Sequence, residues 1–140
     1  YLTWARRSRA DLIRLPEYKP GKENAARIEL RCPDSACNPY LAFAGMLTAG
    51  LKGIEEKYPL PPEMKQNVFE MSSRQREAAG IKSLPGNLYE AIQIAEKSEL
   101  LRETLGDYLF EKFLENKRIE WDKYTAHVTE YELREYLSIL

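Results

Sequence analysis

Arg27, Glu29 and Arg31 occupy alternate positions of the run Arg27-Ile28-Glu29-Leu30-Arg31. Read as a strand, a period of two sends these charged side chains to one face and Ile28 and Leu30 to the other. A carboxylate held between two guanidiniums suits a site where the acid ligates a hard cation and the arginines clamp phosphate or carboxylate oxygens in bidentate fashion. The same pattern also fits a solvated charge ladder, the commoner fate of a charged strand face. Charge alone leaves both readings open.

No other constellation competes with it. His127 is the single histidine and falls near the apolar stripe of a helix end, where a packed or surface role is commoner than a ligand role. Cys32 and Cys37 match no zinc spacing and read as reduced structural thiols. A Gly-rich phosphate loop, a Ser/His/Asp set and a Cys/His pair are all missing. Residues 1 to 31 hold eight Lys/Arg against four Asp/Glu, so that segment carries +4 in a chain whose net charge is −1. Its positives alternate along strands and form neither a continuous patch nor a recognition helix, which favours a small anionic ligand over nucleic acid.

These residues need a frame, and the pattern supplies an α+β one. Leu2 to Arg9 reads as a strand with Arg7 and Arg9 on one face. A turn at Ala10-Asp11 follows, then an extended piece from Leu12 to Leu15 that Pro16 ends. Glu17 to Ala26, centred on Pro20-Gly21, has the turn chemistry of a hydrophilic connector. Pro33 stops the 27–31 strand. Asn38-Pro39 then starts a helix, Asn as N-cap and Pro at the first helical position, running to about Tyr58 with Tyr40, Ala44, Leu47, Leu51 and Ile54 as its expected core face. Pro59, Pro61 and Pro62 open a polar stretch to Leu84 with a short helical turn at 73–78. Asn87 with Glu90, Ser98 ahead of Glu99, and the box Thr129-Glu130-Tyr131-Glu132 mark three later helix starts, and Gly106 interrupts the second. Leu109, Phe110, Phe113, Leu114, Trp121, Tyr124 and Val128 form the broad apolar face after that interruption. The expectation is a few N-terminal antiparallel strands, part of a larger sheet, followed by a mostly α-helical C-terminal layer.

At 140 residues, with 44% hydrophobic and 31% charged residues, the chain suits one domain or part of one. It opens on Tyr1, and Leu2-Thr3-Trp4-Ala5 already reads as strand, so an excised fragment is expected. No apolar run approaches the roughly 20 residues that span a bilayer, and no signal-peptide pattern precedes the first element; a cytoplasmic location is expected.

The wording of the central run narrows the chemistry. Arg27-Ile-Glu-Leu-Arg31, Pro33-Asp34, Asn38-Pro-Tyr-Leu-Ala-Phe-Ala44 and Ala49-Gly-Leu-Lys-Gly-Ile54 together resemble the active-site strand and following helix of prokaryotic-type glutamine synthetase. The resemblance extends to Arg9, to Ile13-Arg14-Leu15-Pro16 and to Ile119-Glu120-Trp121-Asp122, hence over the whole chain as the C-terminal portion (1–140) of that catalytic domain, with active-site strands and loops in 1–37 and a helical part in 38–140. It implies an ATP-dependent ligase, a cytoplasmic enzyme of glutamine biosynthesis and nitrogen metabolism, that joins ammonia to L-glutamate through γ-glutamyl phosphate. It also implies two Mg²⁺ or Mn²⁺ ions per site, and a homo-oligomer, a dodecamer of two hexameric rings, with no nucleic-acid or membrane partner.

By the same resemblance Glu29 matches a metal-ligand Glu and Arg31 the arginine that binds substrate glutamate. Arg9 matches the catalytic arginine shared between ATP phosphate and glutamate, and Arg14 and Arg27 match arginines facing the nucleotide. The chain departs from the family pattern in four places. The spacing from Arg14 to Arg27 is longer than in some members; Asn24 stands where a nucleotide-contacting Lys occurs, with Lys22 near; Ala10 follows Arg9 where Ser is common. Asn67-Val68-Phe69-Glu70 replaces the Asn-Leu-Tyr-Asp context of a modifiable tyrosine. Two other readings stay open: a related ligase that makes a γ-glutamyl amide from another amine, and a non-catalytic subunit-interaction module, since the isolated fragment is expected to be inactive.

Overall fold

The computed structural model describes residues 1–6, 8 and 10–139. Arg7 and Arg9, the pair expected to share a strand face, lie outside the described residues. The chain divides into two compact units, Tyr1–Leu84 and Pro85–Leu140.

The first unit is built on three very short strands, β1 (Trp4–Ala5), β2 (Ile13–Arg14) and β3 (Glu29–Leu30), in the order β1-β2-β3. The antiparallel expectation holds for β2 with β3, where Ile13 faces Leu30 and Arg14 faces Glu29. It is corrected for β1 with β2, which run parallel with Trp4 beside Ile13 and Ala5 beside Arg14. Parallel pairs normally need a crossover of a dozen or more residues. Here each strand is only two residues long. Two long-range bonds flank β1: the Trp4 indole N–H donates to the Pro61 carbonyl at 2.7 Å, and Met64 N–H donates to the Trp4 carbonyl at 2.9 Å. Among the described residues of this unit Ala5, Pro16 and Val68 are the buried apolar ones.

The helix α1 (Pro39–Glu55) starts as its sequence dictates: Asn38 Oδ1 accepts from Tyr40 N–H at 3.0 Å and Leu41 N–H at 3.4 Å, and Pro39 takes the first position. It ends in a Schellman arrangement, with Tyr58 N–H on the Gly53 carbonyl, Lys57 N–H on the Ile54 carbonyl, and Lys57 at φ 52°. Its expected core face is corrected. Tyr40 is 82% exposed and Ile54 74%, with Phe43, Leu47 and Leu51 also exposed, and no residue of the helix is buried. The apolar periodicity is real, but of that face only Ala44 is half-buried. A single turn of helix, α2 (Ser73–Ala78), carries a complete capping box between Ser72 and Gln75.

The second unit is helical. Asn87 caps α3 (Leu88–Glu96), Ser98 caps α4 (Glu99–Thr125), and the Thr129/Glu132 capping box opens α5 (Glu130–Tyr136). Ile92 of α3 packs with Phe110 and Leu114 of α4, and Leu88, Ala95, Leu101, Leu105, Phe113 and Trp121 surround them. Leu109, Tyr124 and Val128, expected on the same face, are exposed. Arg118 on α4 reaches Glu96 on α3 at 2.5 Å. Within α4, Gly106 adopts φ 71° and ψ 157°, which breaks the helix where the sequence places the interruption. Arg102 spans the break, donating to Asp107 and Glu111 at 2.8 Å each while its guanidinium lies 4.2 Å from the Phe110 ring centre.

Candidate functional site

β2 and β3 exist as a pair because Ile13 and Leu30 face each other on one side, which leaves Arg14 and Glu29 facing each other on the other. Arg14 Nη1 donates to Glu29 Oε2 at 2.8 Å. Arg27, two residues before Glu29 and so on the same face, donates to Oε1 from Nη2 at 2.9 Å and from Nε at 3.2 Å. Arg31 lies on the other side, with Nη1 3.8 Å from Oε2, an ion pair without a hydrogen bond. The charged face expected from the strand pattern is thus assembled, and it gains a third arginine from the neighbouring strand. The Arg14 guanidinium beside Glu29 holds its carboxyl below the usual carboxylate range, and Arg27 adds to this against the opposing cost of partial desolvation.

The guanidiniums differ in exposure: the Arg14 side chain is 22% exposed, Arg31 38% and Arg27 57%. Arg14 Nε is buried and has no acceptor among the described residues. Beside Arg27 is a cleft of about 250 Å³ lined by Arg6, Leu15, Pro16, Glu17, Tyr18 and Ala26. Two arginines and an apolar wall suit a ligand with an anionic end and a flat body. A larger hollow of about 780 Å³, lined by residues including Arg6, Glu63, Lys65, Asn67 and Phe69, includes no member of the Arg14–Arg27–Glu29–Arg31 cluster.

Glu29 is an ionised hard-oxygen donor and so fits one coordination position of a divalent ion, but such ions want about six oxygens. Among the described residues no group of three or more His, Cys, Asp or Glu gathers at one place. Three guanidiniums surround the one carboxylate, so the remaining ligands would have to come from outside these residues.

Of the residues singled out from sequence, Glu29, Arg14, Arg27 and Arg31 come together, while Arg9 lies outside the described residues. Cys32 and Cys37 are free and exposed, which corrects their reading as structural thiols; their loop is held by its own Asp34 turn and packs no thiol inward. His127 is exposed. Two features escaped the sequence reading. The direct Arg14–Glu29 bond depends on register across a 14-residue connection, and no local pattern encodes that. Asp11 is 2% exposed, and neither carboxylate oxygen has a partner among the described residues, at a turn position where an acid would ordinarily be solvated.

A family model described as glutamine synthetase, catalytic domain, matches residues 1–136. Glutamine synthetase of Mycobacterium tuberculosis (strain H37Rv) is 48% identical over 137 residues, which is 98% of this chain and 31% of that protein. That of Methanosarcina mazei is 47% identical over 140 residues, 100% of this chain and 31% of that protein. A solved structure described as the GmaS/ADP complex superposes with a TM-score of 0.77 at 33% identity, covering 97% of this chain and 29% of that one. The cryo-EM structure of Plasmodium falciparum glutamine synthetase shares the fold, with a TM-score of 0.72 at 24% identity over 96% of this chain and 34% of its own. The chain spans just under a third, 31%, of the length of these curated relatives.

Proposed function

The chain belongs to the glutamine synthetase catalytic-domain family, and from that premise we propose that it is a C-terminal portion of a ligase that joins ammonia to L-glutamate at the expense of ATP. The observation that carries this reading is the single carboxylate of Glu29 held among Arg14, Arg27 and Arg31 on paired strands. In such a reaction the side-chain carboxylate of glutamate attacks the γ-phosphoryl group, and ammonia then displaces phosphate from the γ-glutamyl phosphate. Both steps build negative charge on phosphoryl and carbonyl oxygens, which fixed guanidiniums stabilise without reorganising at the moment of reaction.

In this reading Arg31 clamps a carboxylate of glutamate. Arg14 and Arg27 face the phosphates of ATP, with the nucleotide reaching the cleft beside Arg27, and Arg9 is the catalytic arginine between phosphate and glutamate. Glu29 would supply one ligand to a Mg²⁺ or Mn²⁺ ion, whose other oxygens would come from outside the described residues. When bound, such an ion supplies charge stabilisation at the phosphoryl oxygens. Residues 1–37 are then the active-site part and 38–140 the helical part of the domain. The exposed apolar faces of α1 and α5 support burial against further protein, in keeping with a homo-oligomer of two hexameric rings. No helix of the described residues is long and apolar enough to cross a membrane, which is compatible with a cytoplasmic enzyme.

The test is an assay of the full-length protein with glutamate, Mg²⁺-ATP and either ammonia or an alkylamine or polyamine. The expected result is one ADP and one phosphate released per glutamine formed, with ammonia preferred. Preference for another amine would move the reading to a γ-glutamyl-amide ligase. Absence of amine-dependent ATP cleavage with every acceptor would refute it.

A further inference from the structure

Arg14 differs from the other arginines around Glu29 in three respects. It comes from β2, the middle strand, whose backbone is bonded on both sides: Ile13 N–H donates to Thr3 and Leu15 N–H to Ala5 of the β1 side, and Leu12 accepts from Arg31 N–H on the β3 side. It is the least exposed of the three guanidiniums, 22% against 38% and 57%. It also uses only part of its donor set, since Nη1 bonds Glu29 Oε2 at 2.8 Å while Nε is buried with no acceptor among the described residues. A guanidinium is a rigid plane with a side-on fork of which Nε is one arm. An oxygen placed on that edge would therefore be fixed in direction relative to the Glu29 carboxylate.

We propose that Arg14 is a positioning residue that bridges Glu29 and an oxyanion of the bound substrates, one plane setting the distance between the ion-ligating carboxylate and the reacting anion. This rests on the reading of Glu29 as an ion ligand. It goes beyond a nucleotide contact, because it makes the geometry at Glu29 depend on Arg14 before any nucleotide arrives. Arg27 fills no such role: it is the most exposed of the set and is spent on Oε1 through both Nε and Nη2.

Arg14→Lys keeps the positive charge and loses the plane, so it separates geometry from electrostatics. The full-length protein is titrated with Mn²⁺ alone, with ADP and with glutamate, folding being checked by circular dichroism. Partners that orient a metal ligand change ion affinity by about 10- to 100-fold when removed. Arg14→Lys is therefore expected to weaken Mn²⁺ binding about tenfold in the absence of nucleotide, and to weaken ADP as well, with glutamate little changed. Weakening of glutamate in place of ADP would keep the bridge and assign the oxyanion to a carboxylate. Arg14→Met serves as a second variant. If Arg14 acted only by charge, removing it would tighten Mn²⁺; the bridge predicts weakening.

Glu29→Gln distinguishes the two layers of the argument. If Glu29→Gln leaves Mn²⁺ affinity unchanged, the ion-ligand reading itself fails. If Glu29→Gln weakens Mn²⁺ but Arg14→Lys does not, or if neither ADP nor glutamate responds to Arg14→Lys, the bridge fails and the ion-ligand reading stands. In the Glu29→Gln background, Arg14→Lys should have no further effect on Mn²⁺, and an undiminished effect there would also overturn the bridge.

Discussion

At the scale of residues, the cluster is an electrostatic device. Glu29 has its folded-state pKa lowered by Arg14 and then Arg27, so in the folded chain it stays ionised to lower pH than in the unfolded chain. The unfolded state therefore binds the proton first as pH falls, and the stabilisation from this cluster, complete above the ordinary carboxylate value, is lost as pH drops through the lowered one. We expect Glu29→Gln to be less stable than the parent sequence in urea at neutral pH and the difference to shrink between about pH 5 and pH 3. The groups are partly exposed, so added salt should also reduce it. A difference that stays constant across that range would show that Glu29 contributes by packing. The gathering of Arg27, Glu29 and Arg31 was legible in sequence, because alternation along 27–31 is a local property. The identity of Arg14's partner was not, because strand register is set across a connection of variable length.

At the scale of elements, local chemistry and tertiary contact separate cleanly. Every helix start read from a cap is present: Asn38, Asn87, Ser98 and Thr129 each accept a backbone N–H from the first turn. The break in α4 was equally legible, since glycine tolerates φ 71° with ψ 157° and other residues do not. No heavy atom lies within 4 Å of where a Cβ would stand, so the cost of Gly106→Ala is conformational. We expect it to destabilise the second unit by about 1 to 3 kcal/mol, read from thermal or urea unfolding. A neutral result would mean that the break relaxes into continuous helix, in which case the Arg102 fork to Asp107 and Glu111 would have to rearrange. Strand lengths fared worse. Of the expected strand from Leu2 to Arg9, the described residues pair only at Trp4–Ala5, because pairing partners, and not propensity, decide how far a strand extends.

At the scale of the whole molecule, apolar periodicity on α1 was legible but its burial was not. Tyr40, Ala44, Leu47, Leu51 and Ile54 recur at helical spacing, and all but the half-buried Ala44 are exposed, while the curated relatives are about three times as long as this chain. We expect the 140-residue chain alone to bind a hydrophobic dye strongly, and the full-length protein to bind little; equal binding by both would show that this face is exposed in the working protein as well. The chain alone should also lack ligase turnover, because one carboxylate among three arginines cannot hold a dication unaided.

The central claim is that the charged face of β3 is a substrate site and not a solvated ladder, and Arg31→Ala in the full-length protein tests it most directly. A bidentate guanidinium–carboxylate pair in a protected site is worth about 2 to 3 kcal/mol, so the glutamate half-saturation should rise roughly 30- to 150-fold. The half-saturation for ATP should change far less. A normal glutamate response in a folded Arg31→Ala enzyme would contradict the account and return this face to solvent.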